Sequence, residues 1–165
     1  MALHPIPPWV FPVDPYPGES ISHFLGRFCR ENHATLNQVG AKTGLGAVLG
    51  RWEKFRFNPP PTEAQVAALA TLVRLEPRLI SQMLPKETIQ IRAIRLCAAC
   101  YAEKSCHQMA WQHKFASRCS RHSLRLFLEC PHYKAKFSIP SQWSKGACKR
   151  CLMPFETMQA VQKKA

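Results

Sequence analysis

Seven of the eight cysteine and histidine side chains that two four-ligand metal sites require occur in order in the C-terminal half of this chain: Cys97, Cys100, Cys119, His122, Cys130, Cys148 and Cys151. Cys97-Ala-Ala-Cys100 and Cys119-Ser-Arg-His122 are each knuckles with two residues between the ligands, and eighteen residues separate them. A two-residue gap lets one tight turn offer two donors to a single tetrahedral ion, and two such turns facing each other close the coordination sphere. Thiolate and imidazole are donors that zinc prefers, and a site closed by four protein ligands is structural. Two structural zinc ions are therefore expected.

The second site departs from this pattern at one corner. Cys148-Lys-Arg-Cys151 is a regular knuckle, but its partner reads Cys130-Pro-His-Tyr, with His132 one residue short of the usual place. An imidazole is long enough to reach across that offset, and Pro131 stiffens the turn. His132 is thus the expected fourth ligand, with Cys106, His107 and His113 as competitors. Order alone also leaves open a crossed arrangement, in which knuckles alternate between the two ions.

Eight cysteines could instead form disulfides in a secreted domain. Against export, residues Met1 to Gly18 carry no basic leader segment, and Pro5, Pro7, Pro8, Pro12, Pro15 and Pro17 interrupt any apolar signal helix. The chain also contains no continuous apolar run of membrane-spanning length. A cytoplasmic protein with no membrane partner and with reduced thiols is expected. Cys29 falls on the apolar face of a predicted helix and reads as core, and Cys106 as a structural or exposed thiol.

The formal net charge is +13, and two dications held by six thiolates lower it by only two units. The excess is uneven: residues 1–95 have 11 basic and 7 acidic side chains, whereas residues 96–165 have 12 and 3. The cysteine-rich half is therefore the side that would face a polyanion. Arg118, Arg121, Arg125, Lys134, Lys136, Lys145, Lys149 and Arg150 are expected to contact phosphate of DNA or RNA, mainly through charge. The alternative is a solvated surface that serves solubility alone.

The elements that must position these residues fall into three segments. Residues 1–18 form a proline-rich arm bearing Trp9, Val10, Phe11 and Tyr16, which packs on its own domain or on a partner. Residues 19–90 read as helical. Ser20 caps a helix to about His33, with Ile21, Phe24, Leu25, Phe28 and Cys29 on one face. Thr35 and Gln38 form a capping box for a short helix to about Lys42, ended by Gly44. A third helix is expected from Leu45 to Phe55, with Leu45, Val48, Leu49 and Trp52 inward. Three short helices with a glycine turn suggest a helix-turn-helix, serving either a DNA groove or a protein contact. After Asn58-Pro-Pro-Pro61, Thr62 and Gln65 cap a helix burying Val66, Leu69, Leu72 and Val73, and Pro77 opens another to about Met83. A strand over Thr88–Leu96 leads into residues 91–165, read as small metal-held β structure. The fold class is thus small α+β: a helix-turn-helix-like domain followed by two tandem zinc ribbons.

Several activities lack their residues. Asp14 is the only aspartate, which rules out an aspartate triad for phosphoryl transfer. The glycines from Gly44 to Gly50 are not followed by Gly-Lys-Ser/Thr, so they form no phosphate loop. No His-x-Glu pair accompanies the cysteines, as a zinc deaminase would need. A non-enzymatic protein is expected.

Pro15-Tyr-Pro-Gly-Glu-Ser-Ile-Ser-His-Phe-Leu-Gly-Arg27 resembles the opening signature of the TniQ family. Trp111 to Cys130, with Cys119, His122, Leu126 and Cys130 in register, resembles its zinc segment. The resemblance covers nearly the whole chain and implies a helix-turn-helix domain, a pair of zinc ribbons, and a target-selection adaptor of bacterial transposons. Such adaptors link target recognition to an AAA+ ATPase that recruits the transposase. In its brevity the chain is similar to short members from type V-K CRISPR-associated transposons, where a Cas effector with guide RNA chooses the target. It departs from the family at Tyr133, which stands where the second ribbon usually has its fourth cysteine. The expected function is a non-enzymatic adaptor in RNA-guided transposition. The competing expectation is a zinc-containing regulator that reads an operator through Leu45–Phe55, and an enzyme with an open zinc is a third.

Overall fold

A computed structural model describes residues 10–165. Trp9 and the rest of the arm before Val10 lie outside the described residues. The described part of the arm packs on its own chain, with Val10 and Val13 buried in the helical core. Asn32 ties it down: its Oδ1 accepts from the Phe11 amide and its Nδ2 donates to the Phe11 carbonyl.

Six α-helices are present among the described residues: α1 (Ile21–Glu31), α2 (Leu36–Thr43), α3 (Val48–Glu53), α4 (Glu63–Val73), α5 (Pro77–Gln82) and α6 (Ala98–Glu103). The first five begin close to where sequence chemistry places them. Ser20 caps α1 by accepting the His23 amide, and Thr35–Gln38 and Thr62–Gln65 are complete capping boxes for α2 and α4. These caps satisfy amides that a helix start leaves without partners. α3 is shorter than the expected Leu45–Phe55. Gly44 and Gly46 both adopt left-handed φ, so residues 44–46 form a turn before the helix can start.

The helices enclose a first core around Ile21, Phe24, Leu25, Phe28, Leu49, Trp52, Leu69 and Val73. A second core joins Phe55 to Leu96, Tyr101, Trp111, Trp143, Phe155 and Met158 in the cysteine-rich half. There α6 packs along a 3₁₀ helix at Phe155–Val161, and Trp143 lies edge-on to Tyr101 and Phe155.

The β component is smaller than expected. The structure is mostly helical, and among the described residues pairing is confined to isolated bridges, including Ile89 with His113, Leu96 with Phe127 and Arg118 with Arg125. The expected strand over Thr88–Leu96 does not form. A side chain stands where a neighbouring strand would be: Gln112 Nε2 donates to the carbonyls of Gln90 and Ala93, and its Oε1 accepts the Arg95 amide at 2.8 Å. The backbone is satisfied without a ladder.

Several contacts join the halves, and two of them set the approach. Gly26 of α1 lies against the backbone of Ser141, where an added Cβ would come within 2.2 Å of the carbonyl oxygen. The second is a buried polar seam. The Ser20 amide donates to the His107 carbonyl at 2.9 Å, and the His107 ring bonds Ser20 Oγ through Nδ1 and Gln112 Oε1 through Nε2. Burial pushes His107 down to about 3, so it stays neutral. Nearby Glu19 would be raised by burial, but hydrogen bonds from His23 and Arg27 reverse this and hold it below the usual carboxylate range.

Candidate metal centres

Three segments of the cysteine-rich half adopt one turn. In each, the residue four places after the leading cysteine returns its amide to that cysteine's carbonyl: Ser123 to Cys119 at 2.9 Å, Lys134 to Cys130 at 2.8 Å, and Leu152 to Cys148 at 2.9 Å. In each, the cysteine amide donates to the residue five places on, namely Leu124, Ala135 or Met153, at 2.8–2.9 Å. Ser123, Lys134 and Leu152 all have positive φ. This turn makes a two-residue spacing work, because the first and fourth side chains emerge on one side. The third side chain points outward, and Arg121, His132 and Arg150 are all exposed.

The first cluster gathers four donors. Cys97 is the N-cap residue of α6 and Cys100 lies in its first turn, while Cys119 and His122 come from the first knuckle. His122 Nδ1 lies 3.2, 3.7 and 3.9 Å from the sulfurs of Cys100, Cys119 and Cys97, and Cys100 Sγ is 3.4 Å from Cys119 Sγ. The edges of a tetrahedron built on zinc–sulfur and zinc–nitrogen bond lengths are roughly 3.5–3.8 Å. The donor set and its separations therefore fit one metal ion. The hydrogen bond from Cys100 holds Cys97 well below the usual thiol range, and the same bond with burial drives Cys100 up.

Glu103, at the end of α6, lies behind this cluster. Its Oε1 is 2.6 Å from His122 Nε2, and its Oε2 accepts from Arg121 at 2.7 Å. The hydrogen bond from His122 holds the Glu103 carboxyl below its usual range. The carboxylate fixes the ring with its proton on Nε2 and leaves Nδ1 free to ligate. Sequence reasoning missed Glu103. Its signal was its place three residues after Cys100, on the helix that Cys97 caps.

The second cluster holds Cys130, Cys148 and Cys151, whose sulfurs all lie within 4.8 Å of one another, with Cys130 and Cys151 3.6 Å apart. Three thiolates are a fitting donor set for a thiophilic dication. Burial raises Cys130; burial also pushes Cys148 upward, but amides of Cys151 and Arg150 overcome this and leave it lowered.

His132 does not join the cluster. It occupies the exposed third place of its knuckle, packs its ring on Tyr133, and lines a pocket of about 550 Å³ to which none of the three cysteines contributes. The ligand place of that turn belongs to Tyr133, which is half exposed beneath the Arg150 guanidinium. The other candidates are also elsewhere: His107 is in the seam, His113 is 3.7 Å from Glu87, and Cys106 is buried beside Gln108. The knuckles pair as Cys97-x-x-Cys100 with Cys119-x-x-His122, and Cys130 with Cys148-x-x-Cys151, rather than crossed. All eight cysteines are free thiols. Cys29 and Cys106 lie outside both clusters, each pushed up to about 11 by burial.

Every one of Arg118, Arg121, Arg125, Lys134, Lys136, Lys145, Lys149 and Arg150 is exposed. Arg121 is neutralised by Glu103, Lys149 donates to Gln142, and Arg150 covers Tyr133. Among the described residues no helix is long and apolar enough to cross a membrane.

No curated protein matches the chain. The model of the TniQ family does match, across residues 10–126, from the start of the described arm through the whole first metal cluster. That span is well over half of the 165 residues, and the chain belongs to the TniQ family.

Proposed function

We propose that the chain is a non-catalytic adaptor in DNA transposition, which links a target-recognition complex of Cas effector and guide RNA to the AAA+ ATPase that recruits the transposase. The observation that carries this reading is the TniQ match over α1 to the first cluster, and family membership supports a transposition-associated adaptor role. The geometry is in keeping with it. A four-donor cluster leaves a bound ion no place for substrate, so its use is to hold surfaces rigid. In this reading both ions are zinc, Cys97, Cys100, Cys119 and His122 hold the first, and Cys130, Cys148 and Cys151 hold the second. α2, the glycine turn and α3 serve as a helix-turn-helix, the knuckles as two ribbons, and the exposed basic residues face nucleic-acid phosphate. The protein works in the cytoplasm, where its thiols stay reduced.

A pull-down tests this directly. The tagged, zinc-loaded chain is mixed with the ATPase from the same transposon, with and without the guide-RNA effector on target DNA. Capture of the ATPase, strengthened by the effector complex, is the expected result. No capture under either condition, together with specific binding of a short operator duplex, would replace the adaptor with a regulator.

A further inference from the structure

Arg95 is a buried arginine with no acidic partner. It is 8 % exposed, and its Nη1 donates to the carbonyls of Trp111, His113 and Ala116 at 3.1, 2.7 and 2.7 Å. These three bonds pin the guanidinium, yet its Nε is buried without an acceptor. A buried donor of this kind calls for an explanation, and an anion that the guanidinium awaits is one.

The surroundings supply the rest of an anion site. Arg95 lines a pocket of about 600 Å³ together with Arg118, Arg125 and Ser117. Arg118 and Arg125 face each other across an antiparallel bridge. Like charges directly opposite on such a pair are destabilising. Among the described residues none of the three arginines has a carboxylate within ion-pair distance, whereas Arg27, Arg78 and Arg121 each have one. Three arginines thus line one hollow, with Ala165 on the same wall, and among the described residues none of the three has an ion-pair partner.

We propose that Arg95, Arg118 and Arg125 form a pocket that grips one backbone phosphate of a nucleic-acid strand. A strand fits better than a free oxyanion because the hollow continues. The adjoining 550 Å³ pocket shares Arg125, Leu126 and Leu128, and brings Lys134 and Lys163 to its rim. Neighbouring phosphates of one strand would meet these lysines, and the exposed Leu128 side chain offers apolar surface between the two hollows. Arg95 is the fixed member, held from below. Arg118 and Arg125 close over the phosphate from the bridge. The proposal rests on the reading of the basic half as nucleic-acid facing, and it locates the grip within that half.

The test uses the full, zinc-loaded chain and fluorescence anisotropy with a labelled 20-nucleotide RNA and the matching DNA at several salt concentrations. Arg118→Gln with Arg125→Gln is compared with Lys86→Gln with Arg92→Gln, which removes equal charge outside the pocket. The pocket pair is expected to lose about tenfold or more in affinity and to flatten the salt slope by one to two, the control pair less than threefold. Arg95→Lys, which keeps the charge and loses the fork, is expected to lower the melting temperature through the lost carbonyl bonds and, at a temperature where it is still fully folded, to weaken binding severalfold. Should that variant fail to fold, the bridge pair decides alone. Equal losses in the two double variants overturn the pocket but leave a diffuse basic surface standing. No binding of either strand by the unmodified chain overturns both. Saturable binding of inorganic phosphate without affinity for either oligonucleotide also overturns the proposal, since the hollow would then serve a free anion.

Discussion

Tyr133 stands in its knuckle where Cys151 stands in the next: each is the fourth residue of a turn closed by the same two backbone hydrogen bonds and followed by a left-handed residue. The two turns share one geometry, but the fourth place carries a thiol in one and a phenol in the other. The two candidate metal centres are consequently unequal, with four donors in the first and three in the second among the described residues. Tyr133→Cys is expected to complete the second set and to slow loss of its ion to a chelator by about tenfold or more. His132→Ala should leave release kinetics unchanged, because its ring is not among the clustered donors. Stopped-flow release to a chromogenic chelator measures both. A large effect from His132→Ala and none from Tyr133→Cys would contradict this assignment.

Glu103 orients His122 from behind, so its removal acts on the first ion without touching a ligand. Glu103→Ala is predicted to weaken that site about 10–100-fold, and Glu103→Gln, which still accepts a hydrogen bond, less. Competition titration against a zinc buffer checks the order. Equal affinity in all three proteins would remove the carboxylate from the account.

Gly26 sets how closely α1 approaches Ser141, with backbone rather than a flexible side chain in the way. Gly26→Ala is expected to cost about 1–3 kcal/mol through overpacking. Gly50, with open space around it, should accept alanine without loss. Urea denaturation of the two variants gives the comparison, and matching stabilities would show that the halves are free to part.

His107 makes stability pH-dependent. Its folded value of about 3 lies below the unfolded value of about 6.5, so the unfolded chain takes up the proton first. The contribution is whole above about pH 6.5 and declines as pH falls toward 3. Between pH 7 and pH 5 the loss is about 2 kcal/mol. The ring meets Ser20 and Gln112, with His23 contributing repulsion, and the nearby Glu19 carboxylate is engaged by His23 and Arg27 instead. His107→Gln, measured by denaturation in excess zinc, should show a shallower decline over that interval. An identical decline in both proteins would assign the pH dependence to the thiolates alone.

Much of this was legible because local chemistry decided it. Ser20, Thr35 and Thr62 each mark a helix start by a bond to a residue three places on, and nothing distant competes. The two-residue spacings likewise announced the knuckles, since one turn enforces them. What escaped depended on partners far away in sequence. α6 is six residues long with no periodic pattern, and it exists against the 3₁₀ helix that follows Pro154. The strand before Leu96 was lost to the Gln112 side chain, and the fixed guanidinium of Arg95 depends on three carbonyls sixteen or more residues away. His132 has the reach of a ligand, but the third residue of this turn is exposed, and spacing alone does not carry that.

If metal rather than cystine holds the basic half in shape, its ions and thiols can be counted. Native mass spectrometry of the purified chain tests it most directly, alongside denaturing mass measurement of free thiols. Two zinc ions per chain, eight free thiols, and loss of the second ion before the first as chelator is added are expected. A metal-free chain of the same compactness, lighter by the hydrogens lost to disulfides, would contradict it.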